Sequence, residues 1–272
     1  MIAKSLHEIE YEAWSRRAAD YDALFAAVST QAIDGILASL GRLSGQRHLD
    51  IACGTGHLVA AASHRGAISE GIDFAQSMVD AARANYPAEI YRAADATDLP
   101  QAANTFDAAT CAFGLSHMEH PQAAVQETFR VLKAGGRFAF TLWRGAADGG
   151  EGFSIVKGVL AKHVNVDDEL PAEWVQLRFA DEQACRAITT EAGFAPPIFT
   201  TLPIVWHTTS AQQIVDVVDK LSVRTKLIID RQPLSVQGQI RDDIRHAAEA
   251  RRVNGVISLA WPALLTVVQK PR

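Results

Sequence analysis

The sequence has few cysteines and no long apolar run, and each absence excludes a class of protein. Three cysteines occur among its 272 residues, none in a C-x-x-C spacing, which excludes zinc ribbons and disulfide scaffolds. No apolar stretch approaches the ~18 residues that a membrane-spanning helix requires. The N-terminal residues also lack the apolar segment of a secretory signal. We therefore expect a soluble, cytoplasmic chain with no membrane partner, in a reducing compartment.

The chain also lacks a large excess of either positive or negative charge. The chain has 26 Lys and Arg against 31 Asp and Glu, and its longest basic runs are the pairs Arg16-Arg17 and Arg251-Arg252. Such pairs do not form the basic surface that a nucleic acid or an anionic membrane requires. Because hydrophobic residues make up 48% of the chain and charged residues 21%, the composition is that of an ordinary globular protein.

What the sequence does have is a regular alternation of short apolar runs and helical segments. The candidate strands are His48–Ala52, Ala67–Asp73, Glu89–Ala93, Phe106–Phe113, Arg137–Leu142, Phe199–Trp206 and Pro262–Val268. Strand–helix alternation at this spacing predicts a parallel sheet with helices on both faces. The predicted fold class is therefore α/β, with a doubly wound, mostly parallel seven-stranded sheet and a helical cap.

The first strand ends in an acid that precedes a turn of small residues and the start of a helix. The segment contains Asp50, Ala52, Gly54 and Gly56. Small residues let the backbone approach a ligand closely, at the sheet edge where doubly wound folds bind cofactors. Taken alone, the segment leaves open a tight turn with no ligand.

Two further acids strengthen the case for a ligand. Asp73 ends the second strand, where a carboxylate can accept hydrogen bonds from both hydroxyls of a ribose. Asp95 ends the third strand, where a carboxylate can meet the amine of an adenine. A capping role stays open for any one of these acids, but three in succession predict an adenosine laid across the sheet edge.

The glycine spacing distinguishes between adenosine cofactors. A dinucleotide site needs G-x-G-x-x-G at the turn, so that the pyrophosphate lies on the helix N-terminus. Here His57, Leu58 and Val59 follow Gly56, so that pattern is not met. Asp50 would repel a phosphate but suits the ammonium of an amino acid. The residues favour S-adenosylmethionine over NAD.

At this point the sequence resembles the class I S-adenosylmethionine-dependent methyltransferases. It is most similar to their small-molecule branch, which includes the ubiquinone and menaquinone biosynthesis enzymes. The resemblance covers residues 10–143 well, 260–270 loosely and 144–258 hardly at all. It implies a Rossmann-like fold that binds S-adenosylmethionine through Tyr21, Asp50, Ala52, Gly54, Gly56, Asp73, Phe74, Met78, Asp95, Ala96 and Ala112. One departure is Ala52, where the family usually has glycine.

The acceptor side is less defined. The segment after the fourth strand should place His117 beside the methyl group, as a candidate catalytic base, because histidine titrates near neutral pH. His120 is a second candidate that also suits a helix cap. Aromatic residues that either line the pocket or form the interior of the cap are Trp143, Phe153, Trp174 and Trp206. No cluster of ligand-type residues indicates a metal.

These observations divide the chain into core and cap segments. The predicted division is 1–40, an N-terminal helical cap; 41–143, the cofactor-binding core; 144–180, a cap insertion; 181–206, the core continued; 207–258, a helical cap insertion; and 259–272, the closing strand. A closed, partly apolar pocket favours a small organic acceptor.

We therefore expect methyl transfer to a small, partly hydrophobic metabolite. The acceptor, the atom methylated and the oligomeric state stay open. The alternatives are another reaction at the same cofactor site, such as a cyclisation, or a non-catalytic cofactor-binding module.

Overall fold

Seven strands form one sheet through the centre of the molecule. A computed structural model describes residues 4–164 and 181–272. In spatial order the strands are β3 (Ile90–Ala93), β2 (Ile68–Asp73), β1 (Arg47–Ile51), β4 (Phe106–Ala112), β5 (Leu132–Trp143), β10 (Ala263–Gln269) and β6 (Ile198–Leu202). The first five run parallel, and β10 lies antiparallel between β5 and β6. The predicted doubly wound, mostly parallel seven-stranded sheet is confirmed.

Helices cover both faces of this sheet. They are α4 (Ile33–Ser39), α5 (His57–His64), α6 (Gln76–Asn85), α7 (Pro121–Val131) and α9 (Glu182–Glu191). Successive residues of β4 point to opposite faces, so Ala108 packs in one apolar cluster and Ala109 in the other. A strand buried on both faces is mostly apolar, which accounts for Ala108, Ala109, Cys111 and Ala112 in this strand.

The N-terminal segment is helical, as predicted. It contains α1 (Leu6–Trp14), α2 (Ala18–Leu24) and α3 (Ala26–Ser29) before α4. Helix α1 begins with a capping box, in which Ser5 and Glu8 satisfy each other's backbone N–H groups. These helices lead the chain across the carboxyl ends of the parallel strands and back to β1.

The C-terminal half adds four helices and a second, three-stranded sheet. The helices are α8 (Glu151–His163), α10 (Gln212–Lys220), α11 (Val223–Asp230) and α12 (Leu234–Glu249). The small sheet has the order β7 (Val205–Thr208), β9 (Val256–Ala260) and β8 (Arg252–Val253).

The small sheet corrects two expectations. The 207–258 segment was expected to be helical, but β8 and most of β9 lie inside it as a hairpin. The turn of that hairpin is Asn254-Gly255, both with positive φ, which is a strong hairpin signal. The single strand expected at Phe199–Trp206 is broken at Pro203, which has no N–H to donate to a ladder. Its two halves belong to different sheets.

Within residues 4–164 and 181–272, no helix has both the length and the apolar character needed to cross a membrane. The predicted cap insertion at 144–180 is described only as far as Val164. Trp174, expected as a possible pocket residue, lies outside the described residues.

Candidate functional site

The turn after β1 adopts a left-handed backbone that explains its small residues. Ala52, Gly54 and Gly56 have φ values of +56°, +53° and +91°. Left-handed geometry costs a residue with a Cβ roughly 1–2 kcal/mol, so Ala52 is strained where glycine would not be. A Cβ on Gly54 would meet no protein atom within 4 Å, whereas one on Gly56 would lie 2.6 Å from the hydroxyl of Tyr91. Gly54 therefore leaves space for a ligand, and Gly56 leaves space for a neighbouring side chain.

Asp73 holds this turn from the end of β2. Its Oδ2 accepts a hydrogen bond from the backbone N–H of Gly54 at 3.0 Å, and its Oδ1 accepts one from Ala75 at 2.9 Å. Burial raises the pKa of Asp73 to about 6, against the effect of these two bonds. Each carboxylate oxygen can accept one more hydrogen bond, for example from a ribose hydroxyl.

Asp50 lies behind the turn. Its Oδ1 accepts a 2.6 Å hydrogen bond from the hydroxyl of Thr110. Because that hydroxyl gives its proton to Asp50, it accepts from Nε2 of His48 at 2.9 Å, and Nδ1 of His48 accepts from Ser69 at 3.2 Å. Burial raises the pKa of Asp50 to about 7 and lowers that of His48 to about 3. The hydrogen bond from Thr110 therefore offsets only part of the cost of burying the negative charge of Asp50.

A cavity of about 1240 Å³ opens in front of the turn, and a smaller one of about 230 Å³ adjoins it. Predicted cofactor residues that line the larger cavity are Tyr21, Ala52, Gly54, Asp73, Phe74, Met78 and Ala112. Those that line the smaller one are Ala52, Asp73, Phe74, Asp95 and Ala96. Asp50 and Gly56 are not among the lining residues of either cavity within the described parts of the chain, so any part they play at the ligand is indirect.

The smaller cavity has the features of a base-binding subsite. Asp95 accepts from both the backbone N–H and the hydroxyl of Thr97 through its Oδ1, at 2.8 Å each, which fixes the orientation of the carboxylate. The ring of Phe74 meets the rings of His7 and Tyr11 edge-on, at 5.9 and 5.8 Å. Helix α1 therefore covers this end of the site.

Hydrogen bonds also join helix α2 to the turn after β1 and to the helices that follow it. The carboxylate of Asp22 accepts hydrogen bonds from Thr55, His57 and Asn85 at 2.6, 3.1 and 3.0 Å. The preceding Tyr21 lines the larger cavity, and its hydroxyl lies 2.6 Å from that of Ser29. Burial raises the pKa of Tyr21 to about 12, so its hydroxyl stays protonated.

His117 lines both cavities. It ends the 3₁₀ turn Gly114–His117 that follows β4. Its Nδ1 lies 3.0 Å from Oε2 of Glu10, a fully buried residue of α1 that also accepts from Nε1 of Trp14 at 3.0 Å. His120, the second candidate base, is exposed before α7 and its side chain makes no cap hydrogen bond.

Sequence reasoning missed Glu10 and its partner Arg224. Nη2 of Arg224 lies 3.5 Å from Oε1 of Glu10 and donates a 2.6 Å hydrogen bond to the carbonyl of Ser116. Burial alone would raise the pKa of Glu10, but the charges of His117 and Arg224 and the hydrogen bonds hold it below its usual value. A glutamate in an amphipathic helix gives no signal of burial, because most such residues face solvent.

Aromatic side chains form the far end of the larger cavity. The ring of Phe113 stacks on Trp143 with centroids 3.8 Å apart, and Phe25 meets Trp143, Trp206 and Trp261 edge-on. Of the aromatic residues considered from sequence, Trp143, Phe153 and Trp206 line the cavity. Sequence reasoning did not identify Phe25 or Trp261 as lining residues.

Comparison with known proteins agrees with this geometry. Residues 49–140 match the family described as Methyltransferase domain. The demethylmenaquinone methyltransferase of Renibacterium salmoninarum is 37% identical over 102 residues, which cover 38% of this chain and 43% of that protein. The ubiquinone/menaquinone biosynthesis C-methyltransferase of Sinorhizobium fredii is 40% identical over 115 residues, covering 38% and 45%. The match thus spans less than half the length of these curated relatives.

Solved structures show the same fold. Phosphoethanolamine N-methyltransferase 2 of Haemonchus contortus, in complex with S-adenosyl-L-methionine, superposes with a TM-score of 0.61 at 17% identity. The superposition covers 100% of this chain and 61% of that chain. Residues 49–140 of this chain therefore match a methyltransferase domain, and the chain resembles the menaquinone and ubiquinone biosynthesis methyltransferases and shares the methyltransferase fold of the solved structure.

Proposed function

We propose that this protein transfers the methyl group of S-adenosylmethionine to a small, partly hydrophobic organic acceptor with a ring system. The observation that carries this proposal is one cavity of about 1240 Å³ that has an acidic end and an aromatic end. Pockets for a single drug-sized ligand measure roughly 300–1000 Å³. The larger volume supports a site for two molecules side by side.

The acidic end would hold the cofactor. Asp73 offers acceptors for the ribose hydroxyls, and the open space at Gly54 admits the methionine part. The oriented carboxylate of Asp95 and the backbone of Ala96 suit the adenine. Asp50, behind the turn, contributes negative charge toward the ammonium group. When bound, the cofactor supplies a methyl group on a positively charged sulfur.

The aromatic end would hold the acceptor. Its walls are Phe25, Phe113, Trp143, Trp206 and Trp261, and flat apolar walls suit a planar ring. The relatives that methylate menaquinone and ubiquinone precursors support a quinone-derived ring as the acceptor class. Concave, mostly apolar pockets are typical of small-molecule sites, which supports a small-molecule partner.

The protein's contribution to transfer is orientation and exclusion of water. Methyl transfer requires the acceptor atom, the methyl carbon and the sulfur in line, and holding reactants in that geometry lowers the barrier strongly. Helix α1 supplies Glu10 and Trp14 to the wall of the cavity, which Tyr21, Ala112 and Phe113 also line. The three cysteines are buried free thiols, which supports the expected cytoplasmic location.

The mass of the product tests the proposal. The protein is incubated with S-adenosylmethionine and a panel of hydroquinones and phenols, and products and S-adenosylhomocysteine are quantified. We expect an acceptor to gain one CH₂ for each S-adenosylhomocysteine formed. A product of unchanged mass would instead support a cyclisation. Cofactor binding without turnover on any acceptor would support a non-catalytic module.

A further inference from the structure

Glu10 is a charged residue in a buried position, where the loss of hydration destabilises the folded state. Its side chain is 1% exposed, yet α1 inserts it between His117 and Arg224 at the wall of the larger cavity. Taking charges out of water costs free energy that their mutual attraction returns only with good geometry. Here the geometry is incomplete: Oε1 of Glu10 and Nε of Arg224 are buried and lack hydrogen-bond partners among the described residues.

Of the two carboxylate oxygens of Glu10, Oε2 has hydrogen-bond partners, and one of them is His117. Oε2 of Glu10 accepts a hydrogen bond from Nδ1 of the imidazole at 3.0 Å. The indole of Trp14 donates to the same oxygen and packs edge-on against the imidazole, with centroids 5.1 Å apart. A carboxylate at Nδ1 fixes the tautomer and leaves Nε2 as the basic nitrogen. Since His117 lines both cavities, Nε2 is the ring nitrogen left for a ligand.

Other charged groups around His117 do not replace Glu10. Arg224 forms its ion pair with Glu10. Asp73, which lines both cavities with His117 and interacts with its charge, directs its carboxylate oxygens to the backbone N–H groups of Gly54 and Ala75. The titratable residues that share the smaller cavity with His117 are His7, Asp73, Asp95, Glu119 and His120. Among the described residues, Glu10 is the acid that hydrogen-bonds to its ring.

We propose that the acceptor carries an ionisable ring hydroxyl, that Nε2 of His117 takes its proton, and that Glu10 is the positioning residue that holds the imidazole for this step. This inference rests on the proposed methyl transfer. Loss of the proton leaves an oxyanion whose oxygen, or a conjugated ring carbon, forms the bond to the methyl carbon as the carbon–sulfur bond breaks. The electron pair of that bond stays on sulfur, which leaves as an uncharged thioether.

Protons balance in both cases. With transfer to oxygen, the imidazolium of His117 returns the hydroxyl proton to solvent. With transfer to a ring carbon, the proton on that carbon is lost, the ring recovers its aromaticity, and the hydroxyl is restored from the imidazolium. Either route releases one proton for each methyl group transferred.

The test uses 1,4-dihydroxynaphthalene and 1,4-dimethoxynaphthalene as probes, with the variants His117→Gln and Glu10→Gln. The control is Glu12→Gln, which removes an exposed carboxylate from the same helix. At pH 7 we expect His117→Gln to lower kcat roughly 10²- to 10⁴-fold, the usual worth of general base catalysis. Glu10→Gln should lower it at least tenfold, and Glu12→Gln should leave it unchanged. The dimethoxy compound should not react.

The pH profile separates this role from a structural one. Without the base, the rate depends on spontaneous ionisation of the hydroxyl, so the deficit of His117→Gln should shrink toward pH 10, where phenols ionise. A deficit that is the same at every pH, or variants as active as the wild type, would overturn the inference while methyl transfer stands. If the wild type methylates nothing, the proposed function fails and this inference with it.

A measurement without turnover completes the design. In ¹⁵N spectra at pH 8.5 with S-adenosylhomocysteine bound, His117 should carry its proton on Nδ1, with its signals assigned by their loss in His117→Gln. Since its side chain is 35% exposed, that variant should fold even if Glu10→Gln, which leaves Arg224 without a charged partner, does not. A proton on Nε2 would overturn the role of Glu10. Binding of S-adenosylhomocysteine should change less than about twofold in His117→Gln.

Discussion

Replacing Gly114 by alanine would press a methyl group into the wall that the two cavities share. A Cβ at this position would lie 2.5 Å from Cβ of Ala52 and 2.8 Å from Sγ of Cys111. Carbon atoms pack at about 3.5–4.0 Å, so the overlap with Ala52 is about 1 Å. Overpacking of this kind costs roughly 1–3 kcal/mol. For a chain of this size that corresponds to a fall in Tm of roughly 2–10 °C.

A second substitution tests whether the overlap with Ala52 causes the loss of stability in Gly114→Ala. Ala52→Gly removes one of the two overlapping atoms and the strain of a φ of +56°. The relief is roughly 1–2 kcal/mol, offset by about 0.5–1 kcal/mol of added chain entropy. Both terms also occur in the single variant Ala52→Gly, so they cancel in a double-mutant cycle. What remains is the overlap with Ala52, so the double variant Ala52→Gly/Gly114→Ala should be more stable than the sum of the single changes by about 1 kcal/mol, in the range typical of residues in contact.

Thermal unfolding of the four proteins measures this coupling, and Gly158→Ala is the matched control. Gly158 lies inside α8, and a Cβ there would meet no atom within 4 Å, so alanine should stabilise the helix by about 0.5–1 kcal/mol. The reasoning is refuted if Gly114→Ala is as stable as Gly158→Ala, or if Ala52→Gly recovers none of the loss.

Three further substitutions test the turn after β1 and the buried acid Asp50. Gly54→Ala should weaken S-adenosylhomocysteine binding more than tenfold in calorimetry, because its methyl group projects into the ligand space. Gly56→Ala should mainly lower Tm, through contact with Tyr91. The pKa of Asp50 is raised to about 7, so the folded state favours the protonated carboxyl. The stability that this preference contributes is complete below about pH 4 and is lost as the pH rises through 7. Asp50→Asn should therefore be more stable than the wild type at pH 8 in urea unfolding, with a smaller difference at pH 4.5, and an equal difference at both pH values would contradict this.

The central strands could be predicted because their signals are local. The bounds of β1 to β4 agree with the expected ones to within one residue at each end, since an acid or a turn follows closely after each strand. Strand β5 begins earlier than expected, at Leu132, because the pairing continues past a register shift opposite Phe106. Lys133–Gly136 has the composition of a turn, so the sequence pattern favoured a later start.

The acceptor side could not be predicted in the same way. Glu10, Phe25, Arg224 and Trp261 come from distant parts of the chain, and each has an ordinary local context in the sequence. Glu10 reaches His117 through the packing of α1 against α11, whose Arg224 binds the turn after β4. The Asn254-Gly255 turn is different, because its hairpin signal was present in the sequence and was not used.

The most direct test of the central claim is a calorimetric titration of wild type and Asp73→Asn with S-adenosylhomocysteine and NAD. Asp107→Asn is the control, since Asp107 lies at the amino end of β4 and binds Lys133 and the backbone of Arg47. We expect S-adenosylhomocysteine to bind and NAD not to bind. Charged hydrogen bonds contribute about 1.5–3 kcal/mol, so Asp73→Asn should weaken binding roughly ten- to hundredfold and Asp107→Asn should not. Binding of NAD, or equal affinities in all three proteins, would contradict the account.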